Sequence, residues 1–269
     1  MYKLKLGVSV SSMVENHINI NFEHQIKKLK NLGFDSIDLN VSVGRKKDVF
    51  LGFLKDFTKF SDILKENDMF LNAIHMPFGT YGDLSTPDEK QRLDVLDFSV
   101  QLFSVLDRLN PNYYVFHGSG DPIPDNLREQ MLDNLVRSLN YLVDKTKVQI
   151  CIENLPRTCL LNTTKELNEL LKKVPKVCVC LDTNHFLTEK TEDAILKIGN
   201  VIKTTHVSDF DYIDEKHWLP TQGSIDWQKV IGALEKIGYN GVFNYELCSN
   251  YDYEQIKENY DKLFNEYNK

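Results

Sequence analysis

Six residues able to bind a metal ion close six apolar runs: His75, His117, Glu153, Asp182, His206 and Glu246. The runs are residues 70–75, 113–117, 148–153, 177–182, 201–206 and 242–246. Each is largely β-branched, aromatic or otherwise apolar until its last residue, the pattern of a short buried strand with a polar end. Helix-length segments separate the runs. One polar strand end constrains little, but six in succession imply parallel strands converging on one ring of side chains. In a (β/α)8 barrel the C-terminal strand ends form the active-site face.

The rest of the chain fits eight such units. Residues 4–10 and 36–41 read as the first two strands. Helical spacing marks 21–32, 47–67, 85–109, 125–145, 163–173, 192–198, 227–237 and 253–267. Gly33 suits a C-terminal stop, Thr86 a cap with Pro87 in the first turn, and Asp226 an N-cap. Strand and helix alternate about eight times, which favours a parallel sheet with crossover helices. An open doubly wound sheet shares that alternation, but eight units with polar strand ends favour closure. The 269 residues suit one barrel domain over 1–269, and no low-complexity linker divides them.

Side-chain alternation sorts the strand residues. If Asp182 points inward, so do Cys180 and Cys178, while Leu181, Val179 and Val177 face the helices. If Glu153 points inward, so do Cys151 and Gln149, with Ile152 and Ile150 outward. The inward set is smaller and more polar. Five cysteines without framework spacing read as reduced thiols in a cytoplasmic protein. The apolar stretch at the N-terminus is too short for a signal peptide, and no run has membrane length. A net charge of −7 disfavours nucleic acid and anionic membranes as partners.

Glu153, Asp182, His206 and Glu246 together suit one divalent ion: Mn2+, Zn2+, Co2+ or Mg2+. His185, just past Asp182, suits a second ion or a substrate oxygen. His75 and His117 suit substrate or a ligand carboxylate. Asp209 either orients a histidine or organises a turn. His217 lies on a loop reaching over the barrel mouth and is a candidate substrate ligand. Arg157 suits a substrate phosphate or carboxylate. Arg45, Lys46 and Lys47 read as a solvated charge run. No GxGxxG, P-loop or GxSxG motif is present.

Several pieces resemble the xylose isomerase-like barrel superfamily, particularly its sugar phosphate isomerase/epimerase branch. They are His75-Met76-Pro77, Phe116-His117, Glu153-Asn154, Asp182-Thr183-Asn184-His185, His206 through Asp209, His217 through Pro220, Gly223 through Trp227, and Glu246. The resemblance covers nearly the whole chain. It implies that Glu153, Asp182, His206 and Glu246 hold the ion and that the two glutamates also exchange the substrate proton. The implied activity is a divalent-metal-dependent isomerase or epimerase of a sugar, sugar phosphate or related polyol or keto acid, working by proton transfer through a metal-bound enediolate. His75, His117, His185, His217 and Arg157 would bind the carbohydrate substrate. Many relatives place glycine directly after the proline of the His217-Trp218-Leu219-Pro220 piece, whereas this chain has Thr221. The arginine that ketose 3-epimerases carry shortly after the metal histidine has no counterpart in Ser208 through Asp211.

The alternative is the endonuclease IV branch, with a three-zinc site. The chain can supply a similar nine-residue set: His75, His117, Glu153, Asp182, His185, His206, Glu215, His217 and Glu246. A metal-dependent lyase or dehydratase of the same superfamily is a further reading. The sequence expectation is a cytoplasmic isomerase with a small carbohydrate as partner and neither nucleic acid nor membrane, and it leaves a homo-oligomer open.

Overall fold

The computed structural model describes residues 1–10, 22–41, 59–120, 122–248 and 251–269. Eight parallel strands form one sheet: β1 (Lys5–Ser9), β2 (Ser36–Asn40), β3 (Phe70–His75), β4 (Tyr113–His117), β5 (Gln149–Glu153), β6 (Cys178–Asp182), β7 (Ile202–His206) and β8 (Val242–Tyr245). From β1 to β7 each strand pairs with the next in sequence, and β1 pairs with β8. The remaining seam, β7 to β8, carries a parallel bridge between Val207 and Tyr245. There Val207 N–H donates to Asn244 O at 2.7 Å and Glu246 N–H to Val207 O at 3.1 Å. The ring is a barrel, as the strand-end pattern predicts.

Helices cover the outside: α1 (Phe22–Leu32), α2 (Phe60–Glu66), α3 (Glu89–Leu106), α4 (Arg128–Leu142), α5 (Thr164–Lys173), α6 (Thr191–Ile198), α7 (Trp227–Lys236) and α8 (Tyr253–Tyr267). Most begin and end where local chemistry directs. Gly33 takes φ +91°, a conformation glycine adopts freely, and stops α1. Thr163 caps α5 by accepting from Glu166 N–H, and Asp226 caps α7 by accepting from Lys229 N–H. Asp252 and Gln255 form a capping box on α8. One expectation is corrected: the cap of α3 is Asp88, which accepts from Lys90 and Gln91 N–H, and not Thr86. Thr86 stands two residues earlier and accepts instead from Asp88 N–H at 3.4 Å. The helix expected over 47–67 is described only at its C-terminal end, and Arg45, Lys46 and Lys47 lie outside the described residues.

Inside and outside divide as strand alternation predicts. Cys151 and Cys180 pack with Ala73 and Val115 in a small buried cluster, with Cys178 against it. Val177, Val179, Leu181, Ile150 and Ile152 belong to the main apolar core between sheet and helices. All five cysteines are free. No described helix is long and apolar enough to cross a membrane.

Candidate metal centre and cavity

Glu153, Asp182 and His206 are the last residues of β5, β6 and β7, and Glu246 follows β8 directly. The parallel register carries them to one rim. Their ligand atoms all lie within 4.8 Å of one another. His206 Nδ1 stands 3.2 Å from Glu153 Oε1 and 3.2 Å from Glu246 Oε2. Asn154 fixes the β5–β6 edge: its Oδ1 accepts from Asp182 N–H and its Nδ2 donates to Asp182 O, both at 2.9 Å. Asp182 Oδ1 accepts from Asn184 N–H at 2.6 Å. Asp182 Oδ2 is buried and has no hydrogen-bond partner. An unpartnered buried carboxylate oxygen is costly, and a cation relieves that cost. Three carboxylates, one imidazole and an orphaned oxygen fit a divalent ion.

The charges of this cluster are set against each other. Burial works against the anion of Glu153, but His206 and His117 outweigh it and hold the carboxyl well below the usual range. Burial likewise opposes the Glu246 anion, yet His206 brings its pKa down to about 2. Burial pushes Asp182 up to about 6: His185 and His217 work against the shift, but Glu153 and Glu246 add to it. Burial disfavours charge on His206, but Cys180, Glu246 and Glu153 hold its pKa well above the usual histidine range. Without an ion, protonated imidazole balances the glutamates.

Above the cluster opens a cavity of about 300 Å³, lined by His75, His117, Glu153, Arg157, His185, His217 and Glu246 among others. Every candidate substrate residue from the sequence therefore reaches it. His75 Nε2 and His117 Nε2 lie 3.1 and 3.4 Å from Glu153 Oε2. His75 Nδ1 pairs with Met76 O at 2.8 Å. His185 is locked by Asn154 O at 2.8 Å on Nδ1 and by Glu215 Oε2 at 3.2 Å on Nε2. Burial opposes its charge, but Asp182, Glu215 and Glu153 raise its pKa to about 9. His217 sits at φ +50° with Nδ1 3.2 Å from Glu246 O. Arg157 lines the wall, but its Nη1 already donates to Glu215 Oε1 at 2.6 Å and to Asp214 Oδ1 at 3.1 Å. Asp209, left open by the sequence, organises the loop after β7: its carboxylate accepts from Phe210, Thr221 and Ile225 N–H and from Trp227 Nε1.

Three further triads overlap the first cluster: His75, His117 and Glu153; Glu153, Cys180 and His206; and Asp182, His185 and His217. Three participants were not among the expected site residues. Glu215, read only as part of the alternative nine-residue set, bridges His185 and Arg157; the signal was its place two residues before His217. Phe78 stacks on His117 at 5.0 Å between ring centroids and is half exposed, with no sequence signal beyond its place after the β3 end. Asp38 is buried in the middle of β2, and burial pushes its pKa up to about 7.

A model of the xylose isomerase-like TIM barrel family matches residues 26–265. The chain belongs to that family. A D-psicose 3-epimerase from Ruminiclostridium cellulolyticum is 26% identical over 247 residues, 84% of this chain and 78% of that protein. Of solved structures, a D-tagatose 3-epimerase-like protein superposes with a TM-score of 0.79 at 22% identity, covering 98% of this chain and 97% of the other. The IOLI protein, solved with a zinc atom, superposes with a TM-score of 0.77 at 19% identity over 98% of both chains. These structural likenesses establish the barrel fold.

Proposed function

We propose that this barrel is a divalent-metal-dependent isomerase or epimerase of a sugar or closely related polyhydroxy carbonyl compound. The observation that carries the reading is the convergence of Glu153, Asp182, His206 and Glu246 within 4.8 Å beneath the cavity, with Asp182 Oδ2 buried and without a hydrogen bond. The likeness to a D-psicose 3-epimerase supports the reaction class. Glu153, Asp182, His206 and Glu246 would hold Mn2+, Zn2+, Co2+ or Mg2+. When bound, such an ion supplies the Lewis acidity that makes a carbon-bound proton beside a carbonyl removable.

The protein's own groups account for the rest. Glu153 and Glu246 are both anionic at neutral pH and both face the cavity, so each can accept a proton. One removes the proton from carbon. Return to the opposite face gives an epimer, and return to the neighbouring carbon gives an isomer. General acid–base work of this kind contributes roughly 10²–10⁴-fold. Glu153, gripped by His75 and His117, is the more fixed of the two; Glu246 is about one-fifth exposed and meets the substrate more openly. His117 and His217 hold substrate hydroxyls, His75 and His185 join them only by exchanging a present contact to Glu153 or Glu215, and Phe78 presents an apolar ring face to the carbon skeleton. Arg157 orders Asp214 and Glu215 at the mouth and leaves only the remainder of its guanidinium for a substrate oxygen. The reading extends to one barrel domain over 1–269, a cytoplasmic location and no nucleic-acid partner.

The test is a screen of ketoses and aldoses with ion-loaded protein in deuterated water. Incorporation of deuterium at carbon with product formation supports the reading, and no exchange on any sugar with any of the four ions rejects it. A second reading has a specific observation behind it. The triads flanking the central cluster would accommodate a multinuclear site of the endonuclease IV kind. Three tightly held zinc ions per chain with cleavage at an abasic site in duplex DNA would establish that reading, and the net charge of −7 weighs against it.

A further inference from the structure

His206 has two ring nitrogens, and the site uses them differently. Nδ1 lies on the side of Glu153 and Glu246, where an ion would sit. Nε2 faces the other way, toward Asp38 Oδ2 at 3.8 Å. Asp38 is buried at mid-strand, beside a register irregularity between β2 and β3. Its Oδ1 is held by Asn72 Nδ2 at 2.8 Å and by Ala73 N–H at 3.0 Å. The same Asn72 Nδ2 reaches Thr204 Oγ1 at 2.9 Å, two residues before His206 on β7. Asp38 is thereby tied to the strand that carries the histidine. Its Oδ2 is buried without any hydrogen-bond partner. The Cys180 side chain also hydrogen-bonds the His206 ring, but a thiol is a weak acceptor beside a carboxylate.

We infer that Asp38 is the positioning residue of His206, accepting its Nε2 proton so that the Nδ1 lone pair is presented to the ion. The inference rests on the metal reading above. Its physical content is a competition between tautomers. Glu153 and Glu246 both favour a proton on Nδ1, which would block coordination. A fixed carboxylate behind the ring favours the proton on Nε2 and offsets that preference. A shift of roughly 1 Å brings the pair to ordinary hydrogen-bond length. Carboxylates that orient a metal-bound imidazole in this way are typically worth about 10–100-fold in metal affinity.

The experiment uses full-length protein labelled with 15N-histidine and titrated with Zn2+. In the wild type, the His206 Nδ1 signal should move on ion binding while Nε2 keeps a slowly exchanging proton. In the Asp38→Asn and Asp38→Ala variants that proton should exchange faster, and chelator competition should show Zn2+ held about 10–100-fold more weakly, with an unchanged far-ultraviolet circular dichroism spectrum. If Asp38→Ala does not fold, the wild-type spectrum still decides. Ligation of wild-type His206 through Nε2 overturns the inference. So does Zn2+ affinity within twofold of wild type in a folded variant. A wild-type protein that takes up no Zn2+, Mn2+ or Co2+ rejects the metal reading itself and the inference with it.

Discussion

A Cβ atom on Gly223 would stand 2.3 Å from Asp209 Oδ1. The glycine leaves room for the carboxylate that ties together the loop between β7 and α7. Asp209 and Trp218 also exchange backbone hydrogen bonds at 2.8 and 3.0 Å, which sets His217 at the cavity wall. Gly223→Ala must displace Asp209 or the Phe210 backbone. The expected loss is about 1–3 kcal/mol of stability, in the range of overpacking changes. Scanning calorimetry should show a lower Tm, and substrate requirement should rise because His217 moves. An unchanged Tm would mean that the loop adapts freely.

Thr221 occupies φ +79°, a conformation that a β-branched residue adopts at a cost. Glycine adopts that conformation freely. Thr221→Gly should raise stability by on the order of 0.5–1 kcal/mol, the strain relieved less the entropy that glycine adds to the unfolded chain. Chemical denaturation midpoints of the two proteins check this. A lower midpoint for the variant would show that the threonine side chain contributes more than its backbone costs.

The sequence revealed what repeats locally. Each strand end couples a run of alternating side chains to one polar residue, so Glu153, Asp182 and His206 were legible as neighbours once eight units implied a ring. The same alternation placed Cys151 and Cys180 inside and Leu181 outside. Caps such as Asp226 are two- or three-residue events and were legible for the same reason. At Ser85 through Asp88 several residues could cap, and only geometry chose Asp88. Side-chain contacts between elements far apart in sequence were not legible. Glu215 meets Arg157 58 residues away, and Asp38 faces His206 across the barrel interior. Nothing in the local pattern of β2 marks Asp38 apart from the charge within an apolar run.

Ion binding should weaken as pH falls. In the ion-free protein His206 is held protonated well above the usual histidine range, and Asp182 titrates at about 6. Coordination needs a lone pair on both, so binding releases protons. Lower pH stabilises the protonated, ion-free form, and affinity should drop about tenfold per pH unit for each proton displaced. Calorimetric titrations at pH 6 and pH 8, in buffers of different ionisation enthalpy, measure both the affinity and the protons released. Equal affinity at the two pH values with no proton release would show that the ion binds elsewhere.

The most direct test of the account is proton exchange by the Glu246→Gln variant. Glutamine keeps an oxygen that can face the ion but cannot accept the substrate proton as a carboxylate does. Ion affinity should weaken, so exchange is measured at saturating ion on a ketose that the wild type turns over in deuterated water. The account expects deuterium incorporation at carbon to fall by roughly 10²-fold or more, the range for a lost general base. Exchange at the wild-type rate in the ion-saturated variant would contradict it and would assign proton removal to another group in the cavity.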